Sequence, residues 1–143
     1  MNIAKIPIGN TKSDIKIREN IISQVYRDFY FYNPNKAVYN RSLKAYINVR
    51  YLSITETIRH AAKSYLSTLA VMQLETVMNC AKYAGEHNKP KKGIANQAQF
   101  SEMRILYLEM PGIGTIKLTV GIKKTSGDYI QYCLTAVNTE IEQ

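Results

Sequence analysis

Cysteine is nearly missing from this chain. Only Cys80 and Cys133 occur, and neither stands in a close Cys/His group with the spacing a zinc site needs. Two free thiols in the core are expected in preference to a disulfide. Acidic residues are also few, 11 against 19 Lys and Arg. Glu56, Glu75, Glu102 and Glu109 are scattered, with no D-x-D pair, so no metal is expected and metal-dependent nuclease chemistry has no ligand set. Glycine-rich phosphate loops and the G-x-S-x-G elbow are absent, which leaves nucleotide enzymes and serine hydrolases without a motif. No cofactor is expected. No apolar run approaches the ~20 residues of a membrane span. Met1–Asn10 carries Pro7 and Gly9 and has no continuous apolar segment of the signal-peptide kind. The cytoplasm is the expected location.

What the chain does have is positive charge. The net charge is +8 and the pI about 9.5. Such a balance favours an anionic partner: nucleic acid, an acidic protein or a membrane surface. The 143 residues, 45% hydrophobic, suit one domain with its own core. Tryptophan is absent, but there are eleven tyrosines. Tyr26, Tyr30, Tyr32, Tyr39, Tyr46 and Tyr51 have two readings: base stacking in a basic groove, or the commoner half-buried helix packing.

In chain order, 1–10 reads as a lead-in. From 12 to 32, Ile22, Val25, Tyr26, Phe29 and Tyr30 recur at spacings of 3, 1, 3 and 1, one face of a helix. Thr11 or Ser13 can cap it, and Asn33-Pro34 ends it. Residues 41–48 are read as a short helix. Ser53-Ile54-Thr55-Glu56 has the form of a capping box and opens a helical pattern that continues to Gly85, with a joint at 67–69 where Ser67 and Thr68 compete for backbone bonds. Residues 86–99 are a polar loop with a short helical turn at 94–99. Residues 101–137 then form three strands. The expected fold is α+β, with helices over 12–85 packed on a small antiparallel sheet, a C-terminal meander of three strands, and a polar tail at 138–143.

The last two strands form a hairpin. On its first arm Ile116, Leu118, Val120 and Ile122 alternate with Lys117, Thr119 and Lys123, one apolar face and one open face. A two-residue loop at Ser126-Gly127 would set polar positions against apolar ones, and slipping by one residue flips every side chain. An odd loop, Ser126-Gly127-Asp128, keeps parity. It places Lys123 opposite Gln131 and Thr119 opposite Thr135, all on the open face.

The candidate site follows from these placements. His60, on the helix after Arg59, can act as a general acid or base near neutral pH, although a lone helical histidine is more often a surface residue. His87 is a weaker candidate. Lys117 and Lys123 would stabilise charge developing on phosphorus, and Thr135 would position the phosphate. Arg59, Thr119, Lys124 and Gln131 would hold nucleic acid, helped by Lys89, Lys91 and Lys92 in the polar loop. The bland alternatives are strand solubility for the lysines, strand propensity for the threonines and a solvated loop for the rest.

The stretches Val38–Asn40, Tyr46–Thr57, Lys117–Gly121 and Ile130–Ala136 resemble small uncharacterised proteins of phages and mobile elements in gut anaerobes. More distantly, helices followed by a meander ending Ile130-Gln131-Tyr132-Cys133-Leu134-Thr135-Ala136 resemble the barnase/colicin/RelE-like superfamily of small RNases over roughly 54–137. That resemblance implies a metal-independent RNase or RNase-like toxin, with His60 or Arg59, Lys117 and Lys123, and Gln131 and Thr135 in the site, and a neutralising protein partner. Two other readings stand beside it, a non-catalytic nucleic-acid-binding accessory protein and an inhibitor-type protein-interaction module.

Overall fold

The computed structural model describes residues 5–137; the first residues of the lead-in and the tail at 138–143 lie outside them. Helix α1 spans Lys12–Tyr32 and is capped by Thr11. The Thr11 hydroxyl accepts from the Asp14 N–H at 3.0 Å, and Asp14 accepts from the Thr11 N–H, which satisfies two of the donors every helix start leaves free. Ile22, Tyr26 and Phe29 are buried on one face, each contributing about 1.5–3 kcal/mol by leaving water. Arg18 is wholly buried on the same helix. Its guanidinium donates to the carbonyls of Ala62, Pro7 and Gly9 and to the Asn10 side chain at 2.6–3.0 Å, which ties the segment before the helix to the chain at Ala62.

The expected helix at 41–48 is instead a hairpin. Strand β1, Ala37–Asn40, pairs antiparallel with β2, Ala45–Asn48, with Val38 opposite Ile47 and Tyr39 opposite Tyr46. Alternation decides it: Val38 and Ile47 reach the core while the tyrosines face out. Asn40 fixes its place. Fully buried, it donates to the carbonyls of Met78 and Ala81 and accepts from the Leu43 N–H.

The long helical pattern divides into α2, Tyr51–Ala61, α3, Tyr65–Met72, and α4, Leu74–Cys80. The joint is at 62–64, not 67–69, because Ser64 is the cap and accepts from the Ser67 N–H at 3.0 Å. Ser67 and Thr68 stay inside α3, where Thr68 bonds the carbonyls of Ala61 and Ser64. The capping box at Ser53 does not form. The helix begins three residues earlier than that box sets, at Tyr51, Ser53 accepts from the Arg50 N–H, and Glu56 is released to other partners. The pattern also ends early, since 82–88 is strand β3, Lys82–Asn88. A 3-10 turn at Ala95–Gln97 leads to β4, Phe100–Met110, β5, Gly114–Lys123, and β6, Tyr129–Ala136.

The fold is α+β, with helices packed on a sheet ordered β1-β2-β6-β5-β4-β3. Strands β4, β5 and β6 are the expected antiparallel meander. The sheet is larger than expected and mixed, because β2 joins β6 in parallel at Ile47–Asn48. Beyond that short contact the edge of β6 is covered by helices. The Ser53 hydroxyl donates to the Gln131 carbonyl at 2.5 Å, and Ser67 Oγ accepts from the Ala136 N–H at 2.9 Å, so unpaired edge groups are satisfied by side chains instead of a strand. One core lies between helices and sheet, with Ile22, Val77, Leu106, Leu118 and Leu134 at its centre. A smaller cluster of Phe100, Met103, Ile130 and Tyr132 sits on the opposite face, joined by Leu52.

Candidate functional site

The hairpin that carries the candidate residues has an even loop and a bulge. Lys123 N–H bonds the Asp128 carbonyl, and Gly127 N–H bonds the Lys123 carbonyl, which leaves 124–127 as a four-residue loop. Next to it Ile122 pairs with Tyr129 and Val120 with Gln131; farther on, Thr119 pairs with Cys133 and Lys117 with Thr135. The step between the two registers inserts Tyr132 without a partner, as a bulge does. The expected pairings, Lys123 with Gln131 and Thr119 with Thr135, are therefore corrected. An even loop puts Gln131 with Val120 on the helix side, and the bulge restores the parity that keeps Lys117, Thr119 and Thr135 on the open side.

Gln131 is thus not a surface residue. It is fully buried and bonded to the Tyr26 hydroxyl at 2.7 Å and to Thr57 at 3.2 Å. In that buried place the Tyr26 phenol is pushed far up, with desolvation outweighing its hydrogen bonds. Lys123 and Lys124 stand at the hairpin tip, beyond the residues that line the cleft described next, with Lys123 opposite Phe100 and the Lys124 N–H held by the Gln99 carbonyl. Lys92 is exposed in the loop and outside the group described next. His87 lies on β3 with Nδ1 2.9 Å from the Gly85 carbonyl.

The other candidates converge. A cleft of about 370 Å³ opens on the sheet face away from the helical core. Its floor is Ile105 of β4, Lys117 and Thr119 of β5, and Tyr132, Cys133 and Thr135 of β6; one wall is Arg59 and His60 of α2, the other Lys89, Lys91 and Gln97. The bulge matters here, because it lets two consecutive residues, Tyr132 and Cys133, both face the cleft. Four cations line it, and among the described residues its lining holds no carboxylate. Among those residues no three His, Cys, Asp or Glu side chains gather as a metal ion requires.

Glu56 lies behind this wall and organises it. It is 4% exposed. Its Oε1 accepts from Arg59 at 2.8 Å and stands 3.6 Å from His60 Nε2, and its Oε2 accepts from the Asn96 side chain at 2.6 Å. Burial raises the carboxyl, but the bonds from Arg59 and Asn96 and the charge of Arg59 outweigh it, so Glu56 stays ionised with a lowered pKa. The Asn96 bond holds the lysine-bearing loop to α2, and Gln97 repeats the tie by donating to the Tyr132 hydroxyl at 3.3 Å and accepting from the Lys91 N–H. The pattern hides Glu56 as a helix cap. Its spacing of three and four residues to Arg59 and His60, one side of a helix, is the signal that points to it.

His60 is held neutral. Burial and the charges of Arg59 and Lys63 lower its pKa, and Glu56 pulls the other way without prevailing. A neutral imidazole among cations is equipped to accept a proton. Cys133 is not equipped as a nucleophile: burial, then the Glu56 charge, pushes its thiol up to about 12, so it remains protonated and poorly reactive. Tyr132 is likewise held protonated, chiefly by burial.

No protein-family model, no curated protein and no solved structure matches this chain. Among the described residues no helix is long and apolar enough to cross a membrane.

Proposed function

We propose that the chain is a small basic protein that binds RNA in the cleft between α2 and the β4–β6 face and cleaves it without a metal. The observation that carries the proposal is a neutral His60 in a cleft lined by Arg59, Lys89, Lys91 and Lys117 and by no carboxylate. The cations would hold the phosphodiester, and Thr119 and Thr135 would donate hydrogen bonds to its oxygens. His60 would take the proton of the 2′-hydroxyl as O2′ bonds to phosphorus. The P–O5′ bond breaks, and the leaving 5′ oxygen recovers that proton from the imidazolium, so a 2′,3′-cyclic phosphate and a 5′-hydroxyl form. Lys117 would stabilise the charge that builds on phosphorus oxygens during the step, as preorganised cations do in a site poor in water.

The test is cleavage of labelled RNA in EDTA by wild type, His60→Gln and Lys117→Ala. Losing the base should slow cleavage by about 10²–10⁴. The acid limb of the wild-type pH profile should lie below the ordinary histidine value of 6.5, because His60 stays unprotonated to lower pH. Salt-sensitive binding without cleavage would instead favour a non-catalytic RNA-binding protein, a reading supported by the lack of a second group poised as acid on the cleft floor, where Tyr132 and Cys133 both hold their protons tightly.

A further inference from the structure

The hairpin β1–β2 carries features that the core does not explain. Tyr39 and Tyr46 sit directly opposite each other, facing away from the core, with ring centroids 5.4 Å apart and planes at 73°. They are 42% and 62% exposed. The segment 36–51 that carries them also holds Lys36, Arg41, Lys44 and Arg50, all exposed, and no Asp or Glu. Two of these cations occupy left-handed backbone positions, Lys36 at φ 54° and Lys44 at φ 56°. That conformation suits glycine or asparagine and strains a lysine. Lys36 is partly accounted for by its ammonium, 4.9 Å over the Tyr30 ring. No ion pair among the described residues accounts for Lys44. The left-handed backbone at Lys44 closes the four-residue turn 41–44, its N–H bonded to the Asn40 carbonyl at 2.9 Å, and its exposed ammonium is what the turn leaves for a partner.

We infer that this hairpin is a stacking platform for single-stranded RNA, and that it extends the cleft described above. Exposed aromatic faces take unpaired bases in any sequence, while surrounding cations follow the phosphates. Duplex RNA offers no free base face to Tyr39 or Tyr46, so the chemistry selects a single strand. The platform shares the cleft's side of the sheet. Asn48, two residues beyond Tyr46 and on its face, lies beside Ile130 of β6, and Ile130 packs with Tyr132 at the cleft floor. Counting strand rise and one strand spacing, Tyr46 lies roughly 14 Å from Tyr132, a span of a few nucleotides. This inference rests on the proposal that the cleft binds RNA phosphate, yet it concerns separate residues.

The experiment is titration of the full chain into a fluorescent 2′-O-methyl oligonucleotide of about 12 nucleotides, which resists cleavage, and into the matching duplex. Tyr39→Leu/Tyr46→Leu keeps apolar strand residues and should weaken single-strand binding by about tenfold or more, with duplex binding unchanged. Lys44→Gly relieves the strained backbone, so its melting temperature should rise by a few degrees while single-strand affinity falls. A merely structural lysine would give the rise without the fall. Lys117→Ala and Arg59→Ala report on the cleft alone. If the tyrosine and Lys44 variants bind like wild type while the cleft variants lose affinity, the platform is overturned and the cleft stands. If the hairpin variants lose affinity and the cleft variants do not, the platform stands and the cleft reading falls. Wild-type protein that binds no single strand overturns the platform.

Discussion

Gly121→Ala should destabilise the protein and disturb the cleft although neither the cleft nor the backbone needs that glycine for its own sake. Gly121 pairs with Met103 on one side and Ile130 on the other. Its φ lies outside the left-handed region, so ordinary strand geometry would accept a side chain, and reducing the freedom of the unfolded chain would by itself favour alanine by about 0.4–1 kcal/mol. Space decides against it. A Cβ there would meet Cδ1, Cγ and Cε1 of Phe100 at 2.6, 2.7 and 2.8 Å. The ring must retreat by about 1 Å, and it is buried against Tyr132 with centroids 6.2 Å apart, edge to face. Overpacking of this kind costs about 1–3 kcal/mol. The net loss is then about 1–2 kcal/mol, a fall of about 3–7 °C in melting temperature for a chain of this length. Because Tyr132 forms the cleft floor, affinity for RNA should fall as well. Thermal unfolding of Gly121→Ala, Phe100→Leu and the double variant checks the argument. The smaller side chain should admit the methyl group, so the double variant should be more stable than the sum of the single effects by about 1 kcal/mol. A Gly121→Ala protein as stable as wild type, or strictly additive effects, would refute the contact as the cause.

Arg18→Met should cost about 3 kcal/mol, or about 10 °C in melting temperature, since it strips a buried guanidinium from three carbonyls and an amide and leaves those acceptors without a donor; the same variant should admit protease into residues 5–10. Cys133 should resist iodoacetamide in the native protein at pH 8 and react fully once unfolded, because its thiol is held protonated up to about 12. The linked effect on stability has a definite sign. The folded thiol binds its proton more tightly than the unfolded one, so this contribution is complete below the ordinary value of 9.0 and is lost as the pH climbs from there towards about 12. Unfolding titrations of wild type and Cys133→Ser over that range should converge at high pH.

Much of the architecture is written in local pattern. The 3-and-4 spacing from Ile22 to Tyr30, the Thr11 cap and Asn33-Pro34 determine α1, and strict alternation from Ile116 to Ile122 determines which face of β5 is open; both depend on residues close in sequence. The basic cleft was partly legible for the same reason, since Lys117, Thr119 and Thr135 share parity and Arg59 and His60 share a helix. What only the tertiary structure decided are choices between local solutions of similar energy. Ser53 and Glu56 can close a capping box, but Ser53 bonds the Gln131 carbonyl across 78 residues of sequence, and Glu56 then takes Arg59 and Asn96. Val38–Asn48 has short apolar runs that suit helix or strand, and Asn40, buried against the end of α4, selects the hairpin. The four-residue loop sends Gln131 into the core, and a single unpaired residue at Tyr132 keeps Thr135 in the cleft. Bulges, buried polar partners and edge coverage are set by distant neighbours, and the energy that fixes them is the penalty of leaving a buried polar group unpaired, which no window of local sequence contains.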